Sequence, residues 1–160
     1  MKRNNSRKIF ALCGKGGVGK TSLSATIVKL LAADKDKKVL AIDADPAVGL
    51  ASAMGMQVHK TIDDIRTALI QRVKDGEAGD KEATLSLIDY EVFDAMEEKE
   101  NIAFLAIGRP ETEGCYCRVN NFLKEIIKST ADHFDYVVID GEAGIEQVNR
   151  RVMEEVNYLV

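Results

Sequence analysis

GKGGVGKT, Gly14 to Thr21, constrains this chain more than any other stretch. It fits G-x-x-x-x-G-K-[ST] and lies between KIFALC (Lys8–Cys13), a near-continuous apolar run, and SLSATIVKLLAADK, which has a helical pattern. A strand running through such a loop into a helix is the setting in which the pattern holds phosphate. Glycines at 14, 16, 17 and 19 let backbone N–H groups turn inward around phosphate oxygens without Cβ obstruction, and the helix that follows adds its positive dipole end. Lys20 is expected to reach the β- and γ-phosphates, and the Thr21 hydroxyl to bind magnesium. The expected nucleotide cradle is Gly14, Lys15, Gly16, Gly17, Val18, Gly19, Lys20, Thr21 and Ser22.

The apolar patterning around this loop sets the fold class. KVLAID (Lys38–Asp43), IAFLAIG (Ile102–Gly108) and DYVVID (Asp135–Asp140) repeat the character of KIFALC, as strands of a parallel sheet covered on both faces do. Helical patterns separate them. The first places Leu23, Ile27, Leu30 and Leu31 on one face. TIDDIRTALIQRV places Ile62, Ile65, Leu69 and Val73 on another, with Thr61 and Asp64 at capping-box spacing. Lys74–Glu82 reads as a polar loop, Tyr90–Lys99 as a helix, and NNFLKEIIKST as a helix with Phe122, Leu123, Ile126 and Ile127 inward. Alternating strand and helix predicts an α/β doubly wound, mostly parallel sheet in one domain spanning residues 1–160. Ligands of such sheets gather outside the carboxyl ends of the strands. GKGGVGKT, ADPA, GRPETEGCYC and GEAG all leave from those ends. The final VNYLV reads as the opening of a buried strand, so the chain is expected to continue past Val160.

Composition narrows the function classes. A net charge of −4, without a basic stripe, gives no reason to expect nucleic acid or an anionic membrane as partner. The first apolar run is too short for a signal-peptide core, and no run approaches a membrane span. Three cysteines without a secretory signal suggest a cytoplasmic, reducing setting.

Two of those cysteines, Cys115 and Cys117, are one residue apart in GCYCRVN. In extended chain their Cα atoms would be ~6.6 Å apart on one face, near the upper limit for a disulfide. Two thiolates ~2.3 Å from a tetrahedral ion are on the order of 3.8 Å apart, which side-chain rotation can supply. The following helix and Arg118 favour the thiolate form. Two sulfurs do not complete a tetrahedral site. Cys13 reads as a small buried filler and His59 as a solvated side chain, so the missing ligands would come from the same pair across a two-fold axis. Nickel, zinc or an iron–sulfur cluster would suit such sulfur, and two reduced surface thiols without a ligand is the rival reading.

The acidic positions complete the set. Asp140 ends VVID in Walker B context, a carboxylate at the close of a buried strand near magnesium, with Gly141 and Gly144 giving the next loop freedom. Asp43 and Asp45 end the second strand, and Pro46 holds Asp45 extended.

Lys15 gives the loop the form G-K-G-G-V-G-K-T, which resembles the deviant Walker A of the MinD/ParA/Fe-protein class of P-loop ATPases. That resemblance implies a homodimer in which Lys15 reaches the partner's nucleotide as an arginine finger does. It also implies that Asp45 positions the attacking water, making Lys15, Lys20 and Asp45 the catalytic residues, with Asp43 nearer the magnesium. GKGGVGKT, DADPA, GRPETEGCYCRVNNFL and YVVIDGEAGIE, in that order, are similar to the CooC-type ATPases. The resemblance implies ATP, magnesium at Thr21, Asp43 and Asp140, and nickel or zinc shared across the dimer by Cys115 and Cys117. It implies as client a nickel enzyme, carbon monoxide dehydrogenase or a relative in acetyl-CoA metabolism, and a purine-contacting segment beyond Val160. An iron–sulfur carrier and a ParA/MinD-type positioning ATPase are the competing functions.

Overall fold

The computed structural model describes residues 7–45, 47–77, 80–109, 125–141 and 157–159. Its strands are β1 (Lys8–Leu12), β2 (Val39–Asp43), β3 (Glu97–Lys99), β4 (Ile102–Ala106), β5 (Tyr136–Asp140) and β6 (Tyr158–Leu159). They form one sheet in the order β3-β4-β2-β5-β1-β6, parallel throughout except for β3. Near-continuous apolar strands require cover on both faces, and both are covered. Helices α1 (Lys20–Leu31) and α2 (Gly49–Met54) close one face over Leu12, Ala41, Phe104 and Val138. Helices α3 (Ile62–Lys74) and α4 (Lys81–Asp94), with a helical segment at 125–131, close the other over Ile9, Leu40, Leu105 and Ile139. This is the predicted mostly parallel α/β architecture.

Register places the strand ends in one line. Leu12 pairs with Asp140, Asp140 with Asp43, and Asp43 with Ala106. The loops after β1, β2, β4 and β5 therefore leave from a common carboxyl edge.

Several local expectations change. In α1 the buried stripe is Ser24, Ala25 and Val28, continuing to Ala32, while Leu23 is 44% and Leu30 70% exposed. The helix lies against β5 and α2, where small side chains permit close approach. Hydrophobicity alone therefore selected the wrong stripe, although Ile27 and Leu31 do pack at its margin. In α3, Ile62, Ile65 and Leu69 are buried with Ile70, whereas Val73, in the last turn, is exposed. The predicted helix at Tyr90–Lys99 is replaced by α4, which starts at Lys81 under an Asp80 N-cap, and by β3. Asp80 accepts from the Ala83 N–H at 2.8 Å and so fixes the earlier start. The Glu-Glu-Lys run of β3 shows no apolar strand signal because it is a charged edge strand. Strand β6 is present but exposed, the outermost of the described strands on this side, with Tyr158 stacked on Phe10 at 4.7 Å between ring centroids. Among the described residues no helix is long and apolar enough to cross a membrane.

Candidate functional site

The phosphate loop links β1 to α1 as the sequence predicts. Gly17 and Gly19 have φ of 80° and 91°, a region that favours glycine. Gly19 is the N-cap of α1 and has no side chain to offer the helix's first N–H groups, which stay available to an anion. Lys15, Gly16, Gly17, Val18 and Ser22 are exposed, while Gly14, Lys20 and Thr21 are half-buried. The Lys20 ammonium folds back over the loop and donates to the Lys15 carbonyl at 2.8 Å. Thr21 faces α2: a Cβ at Gly49 would sit 3.6 Å from its Cγ2.

Asp43 and Asp140, paired in register, are 0% and 1% exposed. Asp43 Oδ1 accepts from the Asp45 N–H at 3.0 Å, and Oδ2 from the Leu50 N–H at 2.9 Å. One carboxylate thus ties β2, the loop after it and α2 together. Burial pushes its pKa up to about 6, and the charges of Asp140 and Asp45 add to that rise against the lowering by the two amide bonds. Asp45 is half-buried, and its Oδ1 accepts from the Ala47 N–H at 2.8 Å, so this carboxylate is folded onto its own loop. Val48, the next turn residue, has φ of 50°, an uncommon conformation for a β-branched side chain.

Asp140 is asymmetric. Its Oδ1 accepts from the Ser24 hydroxyl at 3.0 Å, whereas its buried Oδ2 has no hydrogen-bond partner among the described residues. Sequence reading missed Ser24. The available signal was a hydroxyl on the Ala25–Val28–Ala32 stripe, just beyond the phosphate loop. A buried carboxylate oxygen left over on the strand paired with β1, which runs into the phosphate loop and its threonine, is a hard-oxygen donor that fits magnesium. No three His, Cys, Asp or Glu among the described residues form a metal cluster by themselves, so phosphate oxygens would have to supply part of the coordination.

Cys13 is half-buried against the core, and burial raises its thiol pKa despite the nearby Lys20. His59 is largely exposed and pairs with Glu97. Cys115, Cys117 and Arg118 lie outside the described residues, as do Pro46, Phe122, Leu123 and Gly144. What the structure does fix is the root of the segment carrying the cysteines. It leaves Gly108 at the carboxyl edge, where the Ile107 carbonyl accepts from the Asp63 N–H of α3 at 2.9 Å. A cleft of about 820 Å³ opens between α4 and the 125–131 helix, lined by Lys35, Tyr90, Phe93, Asn101 and His133 among others. It lies at the amino edge of the sheet, opposite the phosphate loop.

A family model described as an AAA domain matches residues 6–160. The chain belongs to this AAA domain family. An uncharacterised ATP-binding protein of Methanocaldococcus jannaschii is 39% identical over 152 residues, covering 95% of this chain and 60% of that protein. The carbon monoxide dehydrogenase accessory protein CooC of Rhodospirillum rubrum is 30% identical over 161 residues, covering 94% and 60%. The chain thus spans about three-fifths of the length of these curated relatives. Among solved structures, a ParA family ATPase of Chlorobium tepidum superposes with a TM-score of 0.63 at 23% identity, over 96% of this chain and 59% of that one. The septum site-determining protein MinD of Pyrococcus horikoshii, complexed with Mg-ADP, superposes with a TM-score of 0.60 at 24% identity, over 96% and 56%. The AAA domain therefore has the fold of the ParA/MinD-like P-loop ATPases.

Proposed function

We propose that this AAA domain belongs to a cytoplasmic, dimeric, ATP-hydrolysing metallochaperone that binds nickel through Cys115 and Cys117 and delivers it to a client enzyme of the carbon monoxide dehydrogenase type. The observation that carries the reading is the shared carboxyl edge: the segment bearing both cysteines departs from the edge that holds Lys20, Asp43 and Asp140. The CooC relative, a carbon monoxide dehydrogenase accessory protein, supports the choice of client.

Nucleotide phosphates would enter the Gly14–Thr21 loop and accept from its backbone N–H groups. Lys20 would exchange the Lys15 carbonyl for β- and γ-phosphate oxygens. Thr21 and the free Oδ2 of Asp140 would hold magnesium, which supplies charge neutralisation across the phosphate oxygens. Asp45, released from the Ala47 N–H, would orient the attacking water, and Asp43 would hold the loop and α2 in register around it. Lys15 would extend to the nucleotide of a second copy and stabilise charge on the transferred phosphoryl group.

Nickel binding by the full-length protein, with and without ATP, tests the reading. Wild type is expected to take up one nickel per dimer with an ATP-dependent affinity, and Cys115→Ala/Cys117→Ala to lose it. A double variant that still binds one nickel per dimer with unchanged affinity removes the cargo assignment. Visible absorption with acid-labile sulfide after anaerobic purification would instead assign an iron–sulfur cluster.

A further inference from the structure

Ser24 is the only buried polar residue of α1, with 0% exposure in a stripe otherwise made of Ala25, Val28 and Ala32. A buried hydroxyl must find a partner, and on a helix the nearest one is the carbonyl of the preceding turn. Thr26, on the exposed side, takes that solution and donates to the Ser22 carbonyl at 2.8 Å. Ser24 does not. Its hydroxyl crosses from α1 to β5 and donates to Asp140 Oδ1 at 3.0 Å. The two oxygens of Asp140 thereby become unequal, one satisfied within the protein and the other buried without a partner among the described residues.

We propose that Ser24 is a positioning residue for magnesium binding: it fixes the Asp140 carboxylate so that Oδ2 is the oxygen offered to the ion at the Thr21 end of the phosphate loop. The inference rests on the reading of that loop as a nucleotide–magnesium site. A carboxylate turns easily about its last bond, and a rotating group loses orientation each time an ion is bound. A hydroxyl locked in the helix removes that freedom beforehand at a fully buried position. Hydrogen-bond partners of ligating carboxylates act on metal affinity in this way, typically by ~10–100-fold. Position 24 suits the task because it lies one turn past Thr21, so the residue that orients the carboxylate and the one that offers a hydroxyl share a rigid helix.

The test uses the full-length protein and a fluorescent ATP analogue, titrated first in EDTA and then at increasing magnesium. For Ser24→Ala the affinity in EDTA should stay within about twofold of wild type, while the magnesium concentration giving half-maximal tightening should rise about tenfold. Thr26→Ala, which loses a hydroxyl bonded only within the helix, should leave both unchanged. An unaltered magnesium midpoint in Ser24→Ala overturns the proposal. So does an equal loss of affinity with and without magnesium, which would mean a general disturbance of α1. If wild type itself binds no analogue, the nucleotide reading of the loop falls and the role of Ser24 falls with it.

Discussion

Asp43 is a buried carboxylate whose two oxygens are both occupied by backbone N–H groups, of Asp45 and Leu50, so it acts as a clamp on the loop after β2. Its pKa of about 6 in the folded protein is above the ordinary carboxylate value, and burial is the main cause. The sign follows. Below about pH 4 the group is protonated whether folded or not, and it carries no ionisation penalty. As pH rises through about 6 the unfolded chain ionises more easily than the folded one, and the contribution to stability falls. Asparagine at this position has no such slope, but it can accept only one of the two N–H groups and leaves the other unpaired, at a cost of about 1–3 kcal/mol. In EDTA without nucleotide, urea unfolding should therefore show Asp43→Asn clearly less stable than wild type near pH 4.5. The gap should be smaller near pH 7; a gap that widens with pH would contradict the burial argument. Asp43 and Asp140 were legible as acidic strand ends because each closes an apolar run. What each oxygen does was not legible, since the partners Leu50 and Ser24 are read only once α1 and α2 lie against the sheet.

At the level of elements, the segment after β4 meets the start of α3 closely at Gly108. Gly108 has φ of 82°, and a Cβ there would lie 2.7 Å from Thr61 Oγ1 and 2.9 Å from Thr61 Cβ. Thr61 is not free to move, because it caps α3 in a full capping box with Asp64. Gly108→Ala is expected to destabilise the protein by about 2 kcal/mol or more, combining backbone strain with a clash. Thr61→Ala alone should cost about 1 kcal/mol through loss of the cap. The double variant should cost less than the sum, since removing the hydroxyl removes the nearest contact, although Cβ of residue 61 stays close. Strict additivity in a urea-unfolding cycle would show that the two residues do not meet. The capping box was readable from Thr61 and Asp64 alone, as a contact between near neighbours in sequence. Its docking against Gly108 joins residues far apart in the chain. The same distinction explains β3 and the buried face of α1: a charged edge strand carries no hydrophobic periodicity, and the periodicity that located α1 pointed away from the small residues that pack.

For the molecule as a whole, the carboxyl edge was legible because the four central strands are apolar and β-branched on both faces. Of the outer strands, β3 was not legible, whereas β6 was legible as a strand but not as an exposed one. An exposed Lys15 on this edge leads to a prediction about assembly. Lys15→Ala in the full-length protein should retain nucleotide binding, because Lys20 uses the backbone carbonyl of residue 15 and not its side chain. It should lose ATP-driven dimerisation in size-exclusion chromatography coupled to light scattering. A variant that dimerises normally with ATP would remove the role of Lys15 in the partner's site.

That carbonyl has a further consequence. The ammonium of one lysine is anchored to the peptide group of the other, at 2.8 Å, while the side chain of the second stays exposed. Under the dimeric reading, phosphate would take that ammonium over and release the main chain of the residue to be lent to a neighbour. Filling and pairing would then be linked through the backbone of residue 15 and not through its side chain.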